Sequence, residues 1–122
     1  METKEILSNK QLNINSLETQ VIHLPNEPIG NFDNYEFKIE HNRSSRINVT
    51  FRFITNEGYV SRDYAQSDIE NLIPFFIKSE LVDEERIYTK IELEGNYNPF
   101  IKISLSIKKI PLNLLAPSNR TR

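Results

Sequence analysis

The chain contains no cysteine, which excludes a disulfide framework, a thiolate zinc site and a cysteine nucleophile. Glycine is almost as scarce, and its positions 30, 58 and 95 are too far apart for a loop that cradles phosphate. The longest apolar run covers residues 73–77 and is far shorter than the roughly 20 residues that a membrane helix needs. These absences remove the most recognisable redox, nucleotide-binding and membrane classes.

The sequence also lacks the marks of export. Residues 1–7 show no basic start and no apolar stretch of signal-peptide length, so we expect a cytoplasmic protein without membrane contact. Alanine occurs only at positions 65 and 116, whereas asparagine and isoleucine, whose codons are A/T-rich, are abundant. We therefore hypothesise an A/T-rich source, such as a low-G/C bacterium or one of its phages or plasmids.

Length and composition describe one soluble globular domain. The chain has 122 residues, of which 38% are hydrophobic and 26% charged. We expect a single domain over residues 1–122, with 1–18 weakly ordered or forming an edge strand and 111–122 forming a C-terminal tail. The formal net charge of −2 argues against broad coating of nucleic acid, although it permits a local basic patch.

Strict alternation of apolar and polar residues is the strongest pattern in the chain. It covers residues 35–40, 47–53, 87–94 and 101–108. Successive side chains of a strand point to opposite faces, so each segment is expected to bury one face and expose the other. The alternation predicts an antiparallel sheet.

The joints between these segments predict how the strands pair. Residues 41–45 are polar and predict a hairpin loop, and residues 55–58 predict a tight turn in which Gly58 takes a positive φ and 59–61 pair back. In the last hairpin, with residues 95–99 as the loop, Leu93 faces Ile101 and Glu92 faces Lys102. An apolar pair then lies on one face and a pair of opposite charges on the other.

Residues 67–77 follow a helical spacing instead. Ser67 is a suitable N-cap, and the apolar residues recur at i, i+3, i+4, i+7 and i+8 from Ile69, with Pro74 as the source of a kink. We therefore predict an α+β fold: a strand meander, one kinked helix packed on one face of the sheet, and a C-terminal hairpin. A small, partly closed β-barrel is the alternative.

No residue set carries a catalytic, metal or cofactor signature. His23 and His41 are isolated, with no histidine at the spacing of a metal site. The carboxylates cluster only at residues 83–85 and at Glu92 and Glu94, where Lys102 is the expected partner of Glu92. We predict no metal, no cofactor and no enzymatic activity.

Two candidate binding surfaces remain. The polar face of the predicted sheet combines basic residues with an aromatic ring and is the candidate for single-stranded DNA or RNA: Arg52, Tyr88, Lys90, Lys102 and Lys108. Aromatic and arginine residues at predicted turns are the candidate for a protein partner, because such residues dominate interface energetics: Arg43, Tyr59, Arg62, Tyr64 and Tyr97.

The sequence therefore predicts a small non-enzymatic intracellular binding protein. We expect an accessory, regulatory or inhibitory protein of a phage or mobile genetic element that acts through protein–protein contact. A regulator that binds single-stranded nucleic acid with the polar sheet face is the alternative. The oligomeric state is left open.

Overall fold

The computed structural model describes residues 4–24, 28–29, 34–77 and 86–110. These residues form seven β-strands and no helix: β1 (Lys4–Ile14), β2 (Gln20–His23), β3 (Tyr35–Glu40), β4 (Ile47–Thr55), β5 (Tyr64–Ile69), β6 (Tyr88–Glu94) and β7 (Ile101–Lys109). Every paired strand is antiparallel to its neighbour. The first sheet has the order β1-β7-β3 and the second the order β2-β6-β4-β5.

The two sheets pack face to face as a β-sandwich. The apolar sides of β3, β4, β6 and β7 meet in one buried cluster, to which both sheets contribute. The ring of Phe37 from the first sheet lies 5.9 Å from the ring of Phe51 in the second, edge to face. Such aromatic contacts stabilise beyond the area that they bury. The core therefore lies between the sheets.

Phe75 occupies the place of an eighth strand. Its N–H and C=O both bond to the backbone of Phe37, each at 2.8 Å, beside the free edge of β3. With this segment added, the first sheet has four members and faces the four strands of the second sheet. Two four-stranded antiparallel sheets that exchange strands in this order form a jelly-roll-like fold.

The predicted α+β fold and its kinked helix over residues 67–77 are wrong. Residues up to Ile69 belong to β5, and both Asp68 and Leu72 have positive φ, at 58° and 65°, which a right-handed helix does not contain. The apolar spacing came from a strand end, a turn and the Phe75 segment. Leu72, Ile73 and Phe76 are accordingly exposed and do not form a buried helical face.

The predicted pairing of neighbouring strands is also wrong. β6 pairs with β2 and β4, whereas β7 pairs with β1 and β3, so the two lie in different sheets. Leu93 is opposite Gln20 and Phe51, and Lys102 is opposite Asn13. Residues 41–46 likewise connect the sheets. Alternation identifies which face of a strand is buried, but it does not identify the strand with which it pairs. The apolar residues of β6 and β7 are buried against each other across the sandwich, so the same alternation arises without a hairpin.

The barrel alternative is wrong for a related reason. Among the described strands, no ladder joins the two sheets, and each sheet ends at edge strands instead of closing on itself. β1 is one such edge. The predicted tail over residues 111–122 and the acidic residues 83–85 lie outside the described residues.

The predicted turn over residues 55–58 is confirmed. Gly58 has φ of 95°, a conformation that glycine adopts without steric cost. Its N–H bonds to the Thr55 carbonyl at 3.1 Å, and Val60 pairs back with Ile54. Short-range turn chemistry could be inferred from sequence because it involves only four consecutive residues.

The two neighbouring phenylalanines, Phe75 and Phe76, test this fold. Phe75 stacks on Phe37 at 5.7 Å, whereas Phe76 keeps 44% of its surface exposed. Phe75→Ala should lower the free energy of unfolding by about 3 kcal/mol and Phe76→Ala by less than about 1 kcal/mol, measured by urea titration. Equal losses at both positions, as for an amphipathic helix, would contradict the strand position.

Candidate functional site

The five candidate residues for nucleic-acid binding do not share a surface. Arg52 and Lys90 lie on the outer face of the second sheet, on the adjacent strands β4 and β6. Lys102 and Lys108 lie on the outer face of the first sheet, on β7. Because the sheets pack back to back, these two pairs point away from each other. The structure does not bring them together.

Tyr88 is buried between the sheets, which corrects its expected outward orientation. Its exposed surface is 0%, and its ring packs edge to face against Phe53 at 5.9 Å. The cause is a bulge: Ile54 pairs with Lys90 but Thr55 pairs with Tyr88, so one extra residue enters β6. A bulge reverses the face of every residue beyond it, and Ile87 is therefore exposed in place of Tyr88.

Arg52 is surrounded by carboxylates. Its guanidinium donates to Asp63 Oδ1 at 2.6 Å and to both oxygens of Glu94 at 3.1 Å, and Glu92 Oε1 lies 3.8 Å away. Its hydrogen bonds to Glu94 raise the pKa of Arg52, and the bond from Arg52 lowers the pKa of Glu94 below its usual value. The positive charge is therefore neutralised within the sheet face and is not presented to phosphate.

His41 is held by three hydrogen bonds. Its backbone N–H donates to Asn71 Oδ1 at 2.7 Å. In the ring, Nδ1 accepts from the backbone N–H of Arg43 at 3.2 Å, and Nε2 lies 3.2 Å from the Ile69 carbonyl. A ring with the proton on Nε2 satisfies both partners. Both ring nitrogens of His41 are therefore engaged: Nε2 joins the end of β3 to the end of β5, and Nδ1 holds the loop that follows.

An open cleft of about 700 Å³ lies beside His41 and is lined by polar side chains from residues 41–46 and 68–71. Arg46 bonds to Glu70 Oε2 there, with its Nη2 at 2.6 Å, and this bond raises the pKa of the guanidinium. An arginine with a raised pKa stays charged and transfers no proton near neutral pH. Besides this ion pair, the cleft presents the charged side chains of Arg43 and Asp68, the hydroxyl groups of Ser44 and Ser45, and the side chains of His41 and Asn71.

The described residues contain neither a group of metal ligands nor a membrane-spanning helix. Across 4–24, 28–29, 34–77 and 86–110, no three His, Asp or Glu side chains are grouped as metal ligands. Within those ranges, too, no helix has the length and apolar character required to cross a bilayer.

The five candidate residues for a protein partner divide between two places. Tyr59 lies under the Arg86 guanidinium, 3.6 Å from its ring centroid, and Arg62 follows it towards β5. Tyr64 is half-buried in β5, where its hydroxyl donates to Gln66 Oε1 at 2.8 Å and burial raises its pKa. Arg43 and Tyr97 lie at the opposite end of the sandwich.

Three loops meet at that opposite end, and we call this surface the loop end: residues 15–19, 41–46 and 95–100. The Arg43 guanidinium lies over the Tyr97 ring, 5.4 Å from its centroid. The Tyr97 hydroxyl accepts from the Asn48 N–H at 2.9 Å, and its carbonyl accepts from the Ser16 N–H at 3.2 Å. The aromatic ring is thereby fixed to β4, and the backbone of Tyr97 to the loop at residues 15–19.

The packing of Tyr97 depends on Gly95. A Cβ at this position would lie 2.7 Å from Ile14 Cγ2 and 3.1 Å from the Tyr97 ring, closer than side chains tolerate. Glycine thus allows the ring to pack against the end of the core. Sequence reasoning missed this role, since an isolated glycine in a loop gives no sign of a close approach.

Leu17 and Phe100 complete the loop end, and of these two Leu17 was also missed. Leu17 exposes 89% of its surface and Phe100 exposes 43%. They come together because Ile14 pairs with Ile101, so the chain leaves β1 beside the residue that enters β7. The only sequence signal was an apolar residue in a polar loop, which becomes informative once the pairing of β1 with β7 is known.

The Arg52 cluster makes stability depend on pH. Because the pKa of Glu94 is lowered in the folded state, its contribution is present above the usual carboxylate pKa and is lost as the pH falls through the folded value. Arg52→Met should lower the free energy of unfolding by about 1 kcal/mol at about pH 7 and by less at about pH 3, measured by urea unfolding.

The exposed pair Arg46–Glu70 is the matched control for this experiment. Its side chains are 60% and 47% exposed, against 21% for Arg52, so Arg46→Met should lower stability less. A loss for Arg52→Met that does not shrink in acid would contradict the ionic origin of the effect.

Comparison with known proteins gives likenesses among solved structures. No protein-family model and no curated protein matches the sequence. Among solved structures, the chain is similar to a chain in the structure of infectious bursal disease virus, Gx strain, with 17% identity and a TM-score of 0.41. The match covers 88% of this chain and 30% of the viral chain. It is also similar to the VP2 subviral particle of that virus, with 16% identity and a TM-score of 0.37 over 89% and 32% of the two chains. The chain thus spans about a third of the length of these structures.

Proposed function

We propose that this chain is a small, non-enzymatic, intracellular binding protein that acts through protein–protein contact at the loop end. Its place is the cytoplasm, and its role is that of an accessory, regulatory or inhibitory protein of a phage or mobile genetic element. The scarcity of alanine and the abundance of asparagine and isoleucine support such a source.

The observation that carries the proposal is the fixed Arg43–Tyr97 pair, with Leu17 and Phe100 exposed in the loops of the same end. Arginine and aromatic side chains dominate binding energy at protein interfaces when they are central and well packed. The ring of Tyr97 is already immobilised by Asn48 and Gly95, so little conformational entropy is lost on binding. The two apolar neighbours supply area that a partner can desolvate.

Two of the described titratable groups support a non-enzymatic role. His41 uses both ring nitrogens in structural hydrogen bonds, and Arg52 is held by carboxylates. A general base needs a nitrogen or oxygen within reach of a substrate proton. The engaged nitrogens of His41 do not meet that requirement in this conformation.

The nucleic-acid alternative gains no supporting observation. Its residues lie on opposite outer faces, and Glu92 and Glu94 accompany Arg52 and Lys90 on the second sheet. Carboxylates on a binding face repel phosphate and weaken the electrostatic term on which such binding depends.

Affinity capture with loop-end variants tests the proposal. The wild-type chain should recover a stoichiometric protein partner from a lysate of its source organism. Arg43→Ala and Phe100→Ser should each weaken binding of the purified partner by at least about tenfold, measured by titration calorimetry. Arg43→Ala preserves the backbone N–H that bonds to His41, so the fold is expected to be unchanged.

Ile87→Ser provides the matched control. Ile87 is 60% exposed at the end of the sandwich remote from these loops, so its replacement should not change the affinity. If no partner is recovered, or if Ile87→Ser weakens binding as much as Phe100→Ser, the loop end is not the interface.

A further inference from the structure

One lateral side of the sandwich is less protected than the other. It is formed by β5, the edge of the second sheet, and by the adjoining segment that contains the Phe75 bridge. We call residues 64–77 the open side. Leu72, Ile73 and Phe76 project from it with 47%, 53% and 44% of their surface exposed. Nowhere else in the described chain do three large exposed apolar side chains fall within five consecutive residues.

The opposite edge of the sandwich carries features that hinder strand pairing. In β1, the register to β7 shifts twice, and Asn9 has φ of 54°. Lysine occurs at positions 4 and 10 of the same strand. Bulges and lysines are the common devices by which edge strands avoid pairing with another chain. β5, with the sequence YAQSDI, contains neither lysine nor proline. Its one register shift lies after Gln66, where Asp68 has φ of 58°, so residues 64–66 pair regularly with β4.

The backbone of β5 has hydrogen-bonding groups directed away from the sheet. The Ser61 N–H bonds to the Phe53 carbonyl, so the backbone N–H and C=O of Phe53 point towards the chain that leads into β5. Because this direction alternates from one residue of a strand to the next, Phe51 and Val49 also point towards β5, and the Phe51–Tyr64 and Val49–Gln66 pairs are the hydrogen-bonded ones. The N–H and C=O groups of Ala65 and Ser67 therefore point outwards, and both residues are exposed.

We propose that a second copy of this chain pairs with β5, so that two open sides meet across a two-fold axis and the second sheets join into one continuous sheet. Antiparallel pairing requires outward-directed residues to face one another. A register centred on Gln66 places Ala65 of each copy opposite Ser67 of the other. Both outward-directed residues are then paired in each copy, which gives four backbone hydrogen bonds.

The same two-fold axis makes the side chains self-complementary. An antiparallel edge pair is related by an axis perpendicular to the sheet, so the first sheets of the two copies also come edge to edge. Leu72, Ile73 and Phe76 then face the same residues of the second copy, and apolar surface covers apolar surface. Pro74 has no N–H, so this segment contributes side-chain contacts and not a ladder.

The backbone alone selects this register. A register shifted by one residue would pair outward-directed groups with inward-directed ones.

An engineered cysteine tests the register. The native chain contains no cysteine, so Gln66→Cys carries a single thiol, placed at the proposed axis. Directly opposed residues in a non-hydrogen-bonded antiparallel pair lie about 4.5 Å apart between Cα atoms, within the range of a disulfide. Under mild oxidation, Gln66→Cys should form a covalent dimer at least about tenfold faster than Gln11→Cys, its counterpart on the edge strand β1.

Sedimentation equilibrium of the full chain tests the apolar contact. We expect a concentration-dependent dimer whose dissociation constant rises at least tenfold in Ile73→Lys, because two like charges then meet across the axis. Ile87→Lys is the matched control, since Ile87 is equally exposed but lies away from the open side, and it should leave the dimer unchanged. Far-ultraviolet circular dichroism verifies that each variant is folded.

A chain that stays monomeric at all concentrations, or a dimer in which neither Gln66→Cys cross-links nor Ile73→Lys weakens association, would overturn the proposal. Binding of a different protein at the open side by a monomeric chain would overturn it too. The loop-end variants Arg43→Ala and Phe100→Ser should leave the dimer intact, so failure of the dimer and failure of the proposed function are separate results.

Discussion

The rings of Phe37, Phe51 and Phe75 join the two sheets, and the rest of the molecule depends on that contact. Phe37 belongs to the first sheet and Phe51 to the second, and Phe75 lies against both, with centroids 5.7 Å and 6.0 Å away. Because a sheet is stable only when its apolar face is covered, this cluster determines which face of every strand is turned inwards. It also sets where the sandwich stops. Once Phe75 fills the side between β3 and β5, the residues next to it must face water.

This constraint explains why the surfaces of the molecule differ. Among the described residues, the Phe75 segment makes a single bridge, and no further described strand covers its neighbours Leu72 and Ile73. At the loop end, by contrast, Tyr97 reaches back to the core beside Ile14 and is fixed there. The first surface offers apolar side chains and backbone groups, and the second offers a rigid ring with a cation on it. The two are therefore suited to different kinds of contact.

The inward faces of β3, β4 and β7 and the turn at Gly58 were predictable because alternation and turn chemistry are local. The neighbours of each strand were not, since Leu93 is as well covered by the facing sheet as it would be by Ile101 in a hairpin. The helix over residues 67–77 failed because apolar spacing alone carries no information on the positive φ of Asp68 and Leu72. Tyr88 was misplaced by a bulge, which one extra residue creates without any sequence mark. Of the candidate residues, Arg43 and Tyr97 come together only because residues 41–46 and 95–100 cross between the sheets at the same end.

The positions of the two proposed surfaces constrain how they work together. Antiparallel pairing through β5 reverses the strand direction across the axis, so the loop ends of the two copies point to opposite poles. Neither the loop residues nor their partners are covered in such a dimer, and one protein cannot engage both loop ends at once unless it spans the whole assembly. Each dimer would therefore bridge two partner molecules and would not hold one more tightly. The gain from dimerisation is then avidity towards partners that are themselves clustered, because the second binding event becomes intramolecular only when two partner sites lie at the spacing of the poles.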